Sequence, residues 1–191
     1  METKESQDFS DEEIVSFALT NTAFFAVLVR RYENKLFRYV RRMGVSSKED
    51  IEDILQNSFI KIYKNLYSFD KSLSFSSWAY RIAHNESVNF FRTKSRRPST
   101  VDIEEMDDFL ASLKSDDDIL KNVNNSLNGE LLLKSLNSFD EKYRTVLILR
   151  DLEDREYAEI SDILKIPVSS VGVLLHRAKE KLRKDLNGVT F

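Results

Sequence analysis

The chain has 191 residues, 41% of them hydrophobic, so it can form one large domain or two small ones with compact cores. It contains only 4 Gly and 2 Pro, and alternating strand patterns are hard to find, which predicts an all-α fold. The lack of Cys excludes disulfides and thiolate nucleophiles, and two His cannot build a metal cluster. Without a Gly-rich phosphate loop or a nucleophile beside a base, we predict no enzyme activity, no metal and no cofactor.

The N-terminal segment METKESQDFSDEE is acidic and has no apolar stretch of the signal-peptide kind. No later run approaches the ~18 apolar residues that a membrane span needs. We therefore predict a cytoplasmic protein without membrane insertion.

The first block, residues 9–97, shows the 3.6-residue period of amphipathic helices. Apolar side chains recur along two predicted helices, at Phe24, Leu28, Tyr32 and Leu36 and at Ile51, Leu55, Phe59, Ile62 and Leu66. We predict helices over 11–20, 21–43, 49–67 and 76–95. Ser77 is the expected N-cap of the last one.

Two helix faces in this block are polar in unusual ways. In FSSWAYRIAHNESVNFFRTKSRR, residues 75–97, amides and guanidinium groups share one face, at Arg81, Asn85, Asn89 and Arg92. Such a face can contact base edges and phosphates, and rings near its start can stack on unpaired bases. In residues 48–63, the outer face is acidic and amide-bearing, with Asp53, Gln56 and Asn57, which suits a protein partner or an ordinary solvated surface.

Residues 98–127 are acidic and rich in Asn and Ser toward their end, so we interpret them as a linker with at most one weak helix. Charge supports this division. Residues 30–97 carry a net charge of +8, whereas residues 98–127 carry −6. A basic block beside an acidic segment suggests a module that binds polyanions.

The last block, residues 128–191, predicts helices over 129–137, 140–152, 156–164 and 169–186. Ile166 and Pro167 separate the final two, which predicts a helix-turn-helix with Ser169 or Ser170 as the cap of the second helix. An inner apolar stripe of this helix consists of Val171, Leu175, Ala178 and Leu182. Basic residues near its end suit DNA phosphates. The same pattern also occurs in an α-hairpin within a helical bundle.

Three stretches in this order resemble a sigma factor of the extracytoplasmic-function (ECF) type, in the sigma-70 family. They are EDILQNSF, WAYRIAHNESVNFFR with the preceding loop FDKSLSFSS, and EYAEISDILKIPVSSVGVLLHRAKEKL. The resemblance implies sigma region 2 at 9–97, an acidic linker at 98–127 and sigma region 4 at 128–191. It also implies a transcription initiation factor that binds core RNA polymerase, recognises the minus-10 and minus-35 promoter elements and helps to melt the duplex. An anti-sigma factor is a candidate further partner.

The resemblance assigns residues to three surfaces. Polymerase binding falls to Asp53, Gln56 and Asn57. Binding of the minus-10 element falls to Phe75, Trp78, Arg81, His84, Asn85, Asn89, Arg92, Arg96 and Arg97. Binding of the minus-35 element falls to Ser169, Ser170, Gly172, Val173, His176, Arg177, Lys179 and Lys181.

The chain departs from the family pattern at informative positions. Lys165 replaces the usual Gly of the turn, where a left-handed backbone would cost about 1 kcal/mol. Gly172 and Leu174 replace basic residues of the reading helix, while Asn89 and Glu86 replace a common Asp and an apolar residue. We therefore expect the minus-35 helix to hold DNA mainly through phosphates. The alternatives are a helix-turn-helix regulator that is not a sigma factor, and a helical adaptor that does not touch nucleic acid.

Overall fold

The computed structural model describes residues 9–94 and 139–185, and every structural statement below concerns these two ranges. The fold is all-α as predicted, since no strand occurs among the residues described. The chain divides into two compact units, unit 1 with Met1–Arg41 and Lys48–Pro98 and unit 2 with Arg42–Ser47 and Ser99–Phe191. The predicted helix at 129–137 and the acidic linker lie outside the described residues.

Unit 1 contains four α-helices. They are α1 (Asp11–Ala18), α2 (Phe25–Arg42), α3 (Lys48–Asn65) and α4 (Phe75–Lys94), with 3₁₀ turns at Thr22–Phe24 and Leu66–Ser68. The predicted stripes face the core: Leu28, Tyr32 and Leu36 of α2 are buried, as are most apolar positions of α3. Helix α3 packs along α4. The faces of the two helices that point away from the core remain exposed to solvent.

Unit 2 contains α5 (Glu141–Leu147), which continues into a π-helix at Ile148–Leu152, and the pair α6 (Tyr157–Leu164) and α7 (Val168–Asp185). The inner stripe of α7 is buried at Val171, Leu175 and Ala178, whereas Leu182 is half-buried. Helix α7 packs against both α5 and α6. The predicted helix-turn-helix is therefore present, and α5 supports its second helix.

Two predicted caps are wrong. Helix α4 begins at Phe75, and the Oγ of Ser74 accepts the N–H of Ser77 at 3.3 Å, so Ser77 lies inside the helix and is buried. Helix α7 begins at Val168, and the N–H of Ser170 donates to the backbone oxygen of Pro167 at 2.9 Å. Pro167 therefore takes the place before the helix, where its carbonyl accepts a helical bond although it has no side-chain cap. Ser169 and Ser170 both lie within the first turn of α7.

Candidate nucleic-acid interface

The outer face of α4 brings together three of the polar side chains singled out in the sequence. Asn85 is exposed, and it lines a groove of about 370 Å³ between α3 and α4 together with Asn89. Arg92 Nη2 donates to Asn89 Oδ1 at 3.0 Å. The amides and the guanidinium group thus form one continuous polar surface, while Arg81 is half-buried. Arg96 and Arg97 lie outside the described residues.

Glu86 lies in the same groove, and its carboxylate pairs with Lys61 Nζ of α3 at 2.5 Å. The Glu86 side chain is only 13% exposed, so its charge is offset where it stands. Glu86 therefore adds no net negative charge to this face of α4. Its ion pair with Lys61 links α3 to α4 beside Asn85 and Asn89.

An aromatic cluster lies at the start of α4. Phe75 is buried, and its ring contacts Tyr32, Phe69 and Trp78 at centroid distances of 5.3, 5.7 and 5.8 Å. A base cannot reach a ring that is 1% exposed, so Phe75 supports the site from within rather than binding DNA directly. Trp78 is half-buried and lies 4.9 Å from Phe69, tilted by 31°. Of Phe75 and Trp78, only Trp78 reaches the surface.

The loop from Asp70 to Ser74 joins two buried rings, Phe69 and Phe75, and is itself exposed. Asp70 Oδ1 accepts the Oγ of Ser72 at 2.7 Å and its N–H at 2.9 Å, and these bonds lower the pKa of Asp70. Two apolar side chains are exposed here, Tyr67 at 90% shortly before the loop and Leu73 at 42% within it. Sequence reasoning did not single them out, although neither fits the core stripe of a helix.

His84 is a second assigned minus-10 residue whose surroundings do not favour a contact with DNA. Its Nδ1 lies 3.0 Å from the hydroxyl of Tyr39, and burial lowers its pKa to about 4. The ring is therefore neutral near pH 7 and supplies no charge to a phosphate. Its contact with Tyr39 instead joins α4 to α2.

The outer face of α3 presents Asp53, Gln56 and Asn57, all three exposed. Gln56 also lines a groove of about 430 Å³ between α2 and α3, with Glu33 and Asn34 on the α2 side. The polar lining of this groove is carboxylate and amide, and Val29, Phe37 and Phe59 are among its apolar lining. An acidic rim around apolar side chains suits a protein partner better than DNA.

The reading face of α7 is short of long polar side chains, as the sequence indicated. Val173 is 50% exposed, Ser169 is exposed and Ser170 is half-buried. A Cβ at Gly172 would lie 3.7 Å from Cε2 of Tyr157, so Tyr157 stands directly beside Gly172. Tyr157 is 41% exposed, and sequence reasoning missed it because no local pattern places α6 over this part of α7.

The basic side chains of α7 differ in what they contact. Lys179 pairs with Asp151 at 3.1 Å, and Lys181 Nζ lies 4.7 Å above the ring of Phe139. His176 lies 3.7 Å from Glu180, and Arg177 is exposed. Lys179 and Lys181 would have to leave these contacts to reach DNA, so Arg177 is the best placed of the three basic residues for a phosphate.

The turn between α6 and α7 adopts the strained backbone that the sequence predicts to be costly. Lys165 has φ 54° and ψ 45°, the left-handed region. Ser161 holds the turn, because its backbone oxygen accepts the N–H of Ile166 at 3.2 Å and its Oγ donates to the oxygen of Ile166 at 2.6 Å. These bonds keep the turn closed without glycine.

Within the described ranges, no group of three or more His, Asp or Glu side chains could hold a metal ion. Among the same residues, every helix is too short or too polar to cross a membrane.

Comparison with known proteins identifies both units. The family model of sigma-70 region 2 matches residues 28–97, and that of sigma-70 region 4 matches residues 129–182. The ECF RNA polymerase sigma-E factor of Haemophilus influenzae is 34% identical over 176 residues, covering 85% of this chain and 87% of that protein. The ECF RNA polymerase sigma factor SigW of Bacillus subtilis is 32% identical over 171 residues, covering 85% and 88%.

The fold agrees with these matches. The sigma factor RpoE of Bartonella quintana, solved in complex with the anti-sigma factor NepR, superposes with a TM-score of 0.63 at 16% identity, covering 87% of this chain and 98% of that one. The chain belongs to the ECF sigma factors of the sigma-70 family. It is a transcription initiation factor, and the alternative of an ordinary helix-turn-helix regulator is not favoured.

Proposed function

We propose that this sigma factor divides its work among three surfaces: α3 binds core RNA polymerase, α4 binds the minus-10 element and α7 binds the minus-35 element. The observation that carries this proposal is the outer face of α4. There Asn85 and Asn89 line one groove, and the exposed loop at residues 70–74 leads into the start of the same helix. Amides that can both donate and accept are suited to read base edges, and the loop at the start of the helix can receive an extruded base.

The base-binding site that we propose is formed by Trp78 and the loop at residues 70–74, with Phe75 underneath. Extruding a base costs a few kcal/mol of lost stacking. One aromatic contact returns roughly 1–3 kcal/mol, and amide contacts on α4 add to it. Melting can therefore be driven by binding, without a chemical reaction. On this view the protein is not an enzyme, and it acts in the cytoplasm, where promoter DNA and polymerase meet.

The proposed polymerase surface on α3 comprises Asp53, Gln56 and Asn57. Its support is the contrast between this acidic, amide-bearing face and the basic charge of residues 30–97 as a whole. A DNA-binding surface in the same position would place carboxylates against phosphates, which is unfavourable. An anti-sigma factor is a further proposed partner, supported by the fold shared with RpoE of Bartonella quintana, which was solved in complex with the anti-sigma factor NepR.

A pair of variants tests this division of labour. Co-purification with core polymerase, followed by transcription from a promoter pool, first supplies a promoter. Asp53→Arg should weaken core binding and, as an exposed charge change, leave stability within ~0.5 kcal/mol. Asn85→Ala should leave core binding intact and reduce promoter opening, with the effect concentrated at one base position of the minus-10 element.

Each variant serves as the control for the other, because both replace exposed side chains of unit 1. Normal core binding by Asp53→Arg would remove the polymerase assignment. Unchanged opening by Asn85→Ala on every minus-10 sequence would remove the promoter assignment of α4.

A further inference from the structure

Helix α1 lies before residue 28, where the match to sigma-70 region 2 begins. Its inner residues Ile14, Val15 and Ala18 are buried in unit 1. The first turn carries three consecutive acids, Asp11, Glu12 and Glu13. Acidic side chains near a helix N-terminus are stabilised by the helix dipole. From the sequence alone, this one effect would explain all three acids.

The structure gives each acid a different contact. Glu13 closes a capping box, since its Oε2 accepts the N–H of Ser10 at 2.8 Å. Asp11 pairs with Arg31 of α2 at 2.7 Å and also accepts the hydroxyl of Tyr32. Glu12 reaches across the unit, and its Oε1 accepts the N–H of Phe75 at 2.9 Å.

The N–H of Phe75 is the first of α4, and the first N–H groups of a helix have no acceptor within it. Ser74 supplies a local acceptor for the N–H of Ser77. Glu12, 63 positions earlier in the chain, supplies the acceptor for Phe75. A half-buried carboxylate at a helix N-terminus gains from both the hydrogen bond and the helix dipole.

This bond holds one end of the exposed loop at residues 70–74. Phe75 is fixed on its ring side by Tyr32, Phe69 and Trp78, and on its backbone side by Glu12. The bond from Glu12 adds a tie from α1 to the ring packing and to the cap that Ser74 provides, and a site that must hold a captured base gains from such fixed geometry.

We propose that Glu12 is a positioning residue for base capture, which sets the loop and the start of α4 without touching DNA. This inference rests on the proposed placement of the minus-10 element at α4. Helix α1 then belongs to the promoter-opening apparatus, although it lies outside the region 2 match.

The test uses holoenzyme reconstituted with core polymerase and a promoter selected from a pool. Opening is followed by the fluorescence of 2-aminopurine placed at each minus-10 position in turn, which identifies the extruded base. Glu12→Ala should slow opening by about tenfold, since it removes a charged hydrogen-bond acceptor from a half-buried N–H. Glu12→Gln, which keeps an oxygen acceptor, should recover most of that loss.

The decisive measurement is the energetic coupling between Glu12 and the extruded base. Substituting the extruded base should cost the Glu12→Ala holoenzyme much less than wild type, while the cost of substituting other minus-10 bases should not change. Glu13→Ala is the matched control, because it removes the neighbouring acid and its cap but no contact to α4. It should leave all base preferences as in wild type.

Two other outcomes for Glu12→Ala would overturn the inference, and they can be told apart. Equal losses at every base in Glu12→Ala would indicate a general stability role, and no loss would show that the bond is dispensable. If Asn85→Ala retains its effect in either case, only the role of Glu12 fails. If Asn85→Ala is also silent at all minus-10 positions, the proposed placement of the promoter on α4 fails as well.

Discussion

At the scale of single residues, burial decides which side chains of α4 can meet DNA. His84 illustrates this, since its Nδ1 lies 3.0 Å from the Tyr39 hydroxyl and its pKa is lowered to about 4 by desolvation. An unfolded histidine has a pKa near 6.5. Between these values the unfolded chain binds a proton that the folded chain does not bind, so stability falls as the pH falls.

We expect the His84 site to lower the free energy of unfolding by up to about 2 kcal/mol between about pH 7 and pH 5. His84→Asn, which can keep a polar contact to Tyr39, should be less sensitive to pH by that amount. The chain has 1 Trp, Trp78 of α4, so urea unfolding followed by Trp fluorescence reports on this region. Identical pH dependence in the two proteins would show that folding does not shift the pKa of His84.

At the scale of elements, the turn between α6 and α7 stores strain. Lys165 adopts φ 54° although it is not glycine, and the bonds of Ser161 to Ile166 hold it there. The ion pair of Lys165 with Asp162 at 2.6 Å is exposed and therefore contributes little. The backbone of this residue, rather than its side chain, is the part that the turn requires.

Lys165→Gly should therefore stabilise the helix-turn-helix by about 0.5–1 kcal/mol, because glycine adopts the left-handed region without a Cβ clash. Lys165→Ala is the control, since it removes the same ion pair but keeps the Cβ. Amide hydrogen exchange in α6 and the first turn of α7 measures the local stability of both variants. Equal protection in the two variants would mean that the strain is negligible.

The sequence predicted the existence of helices better than their ends. Periodicity placed the buried stripe of α7 at Val171, Leu175 and Ala178, because the 3.6-residue repeat is a property of the sequence itself. Caps were misplaced, since several serines stand near each helix start and only the backbone path selects Ser74 over Ser77. The contact between Glu12 and Phe75 spans 63 positions, and no local pattern could reveal it.

The candidate surfaces show the same limit. Exposure of Asp53, Gln56 and Asn57 followed from their spacing, because they lie opposite the apolar stripe of α3. Aromatic residues near the start of α4 could not be sorted by sequence into core and surface. Only packing shows that Phe75 is buried, while Tyr67, in the 3₁₀ turn after α3, is 90% exposed.

At the scale of the whole molecule, the net charge of −3 conceals a strongly basic stretch over residues 30–97. In unit 2, two of the basic side chains on α7 already have partners in Asp151 and Phe139. The proposed minus-35 helix thus has few long polar groups for base edges, whereas Arg177, Arg183 and Lys184 are exposed cations that suit phosphates. We therefore expect promoter selectivity to reside mainly in α4, and α7 to hold DNA chiefly through phosphates, which carry little sequence information.

Arg177→Ala tests this distribution, because Arg177 is exposed on α7 and suited to a phosphate. We expect it to weaken binding about equally on matched and mismatched minus-35 sites, and to lower the slope of log affinity against log salt by about 1. Val173→Ala, which removes at most a contact with a thymine methyl, should leave that slope unchanged. Binding titrations of the holoenzyme over a range of salt measure both. If single minus-35 substitutions instead cost ~1–3 kcal/mol each, Ser169, Ser170 or His176 reads bases, and selectivity is shared between the two helices.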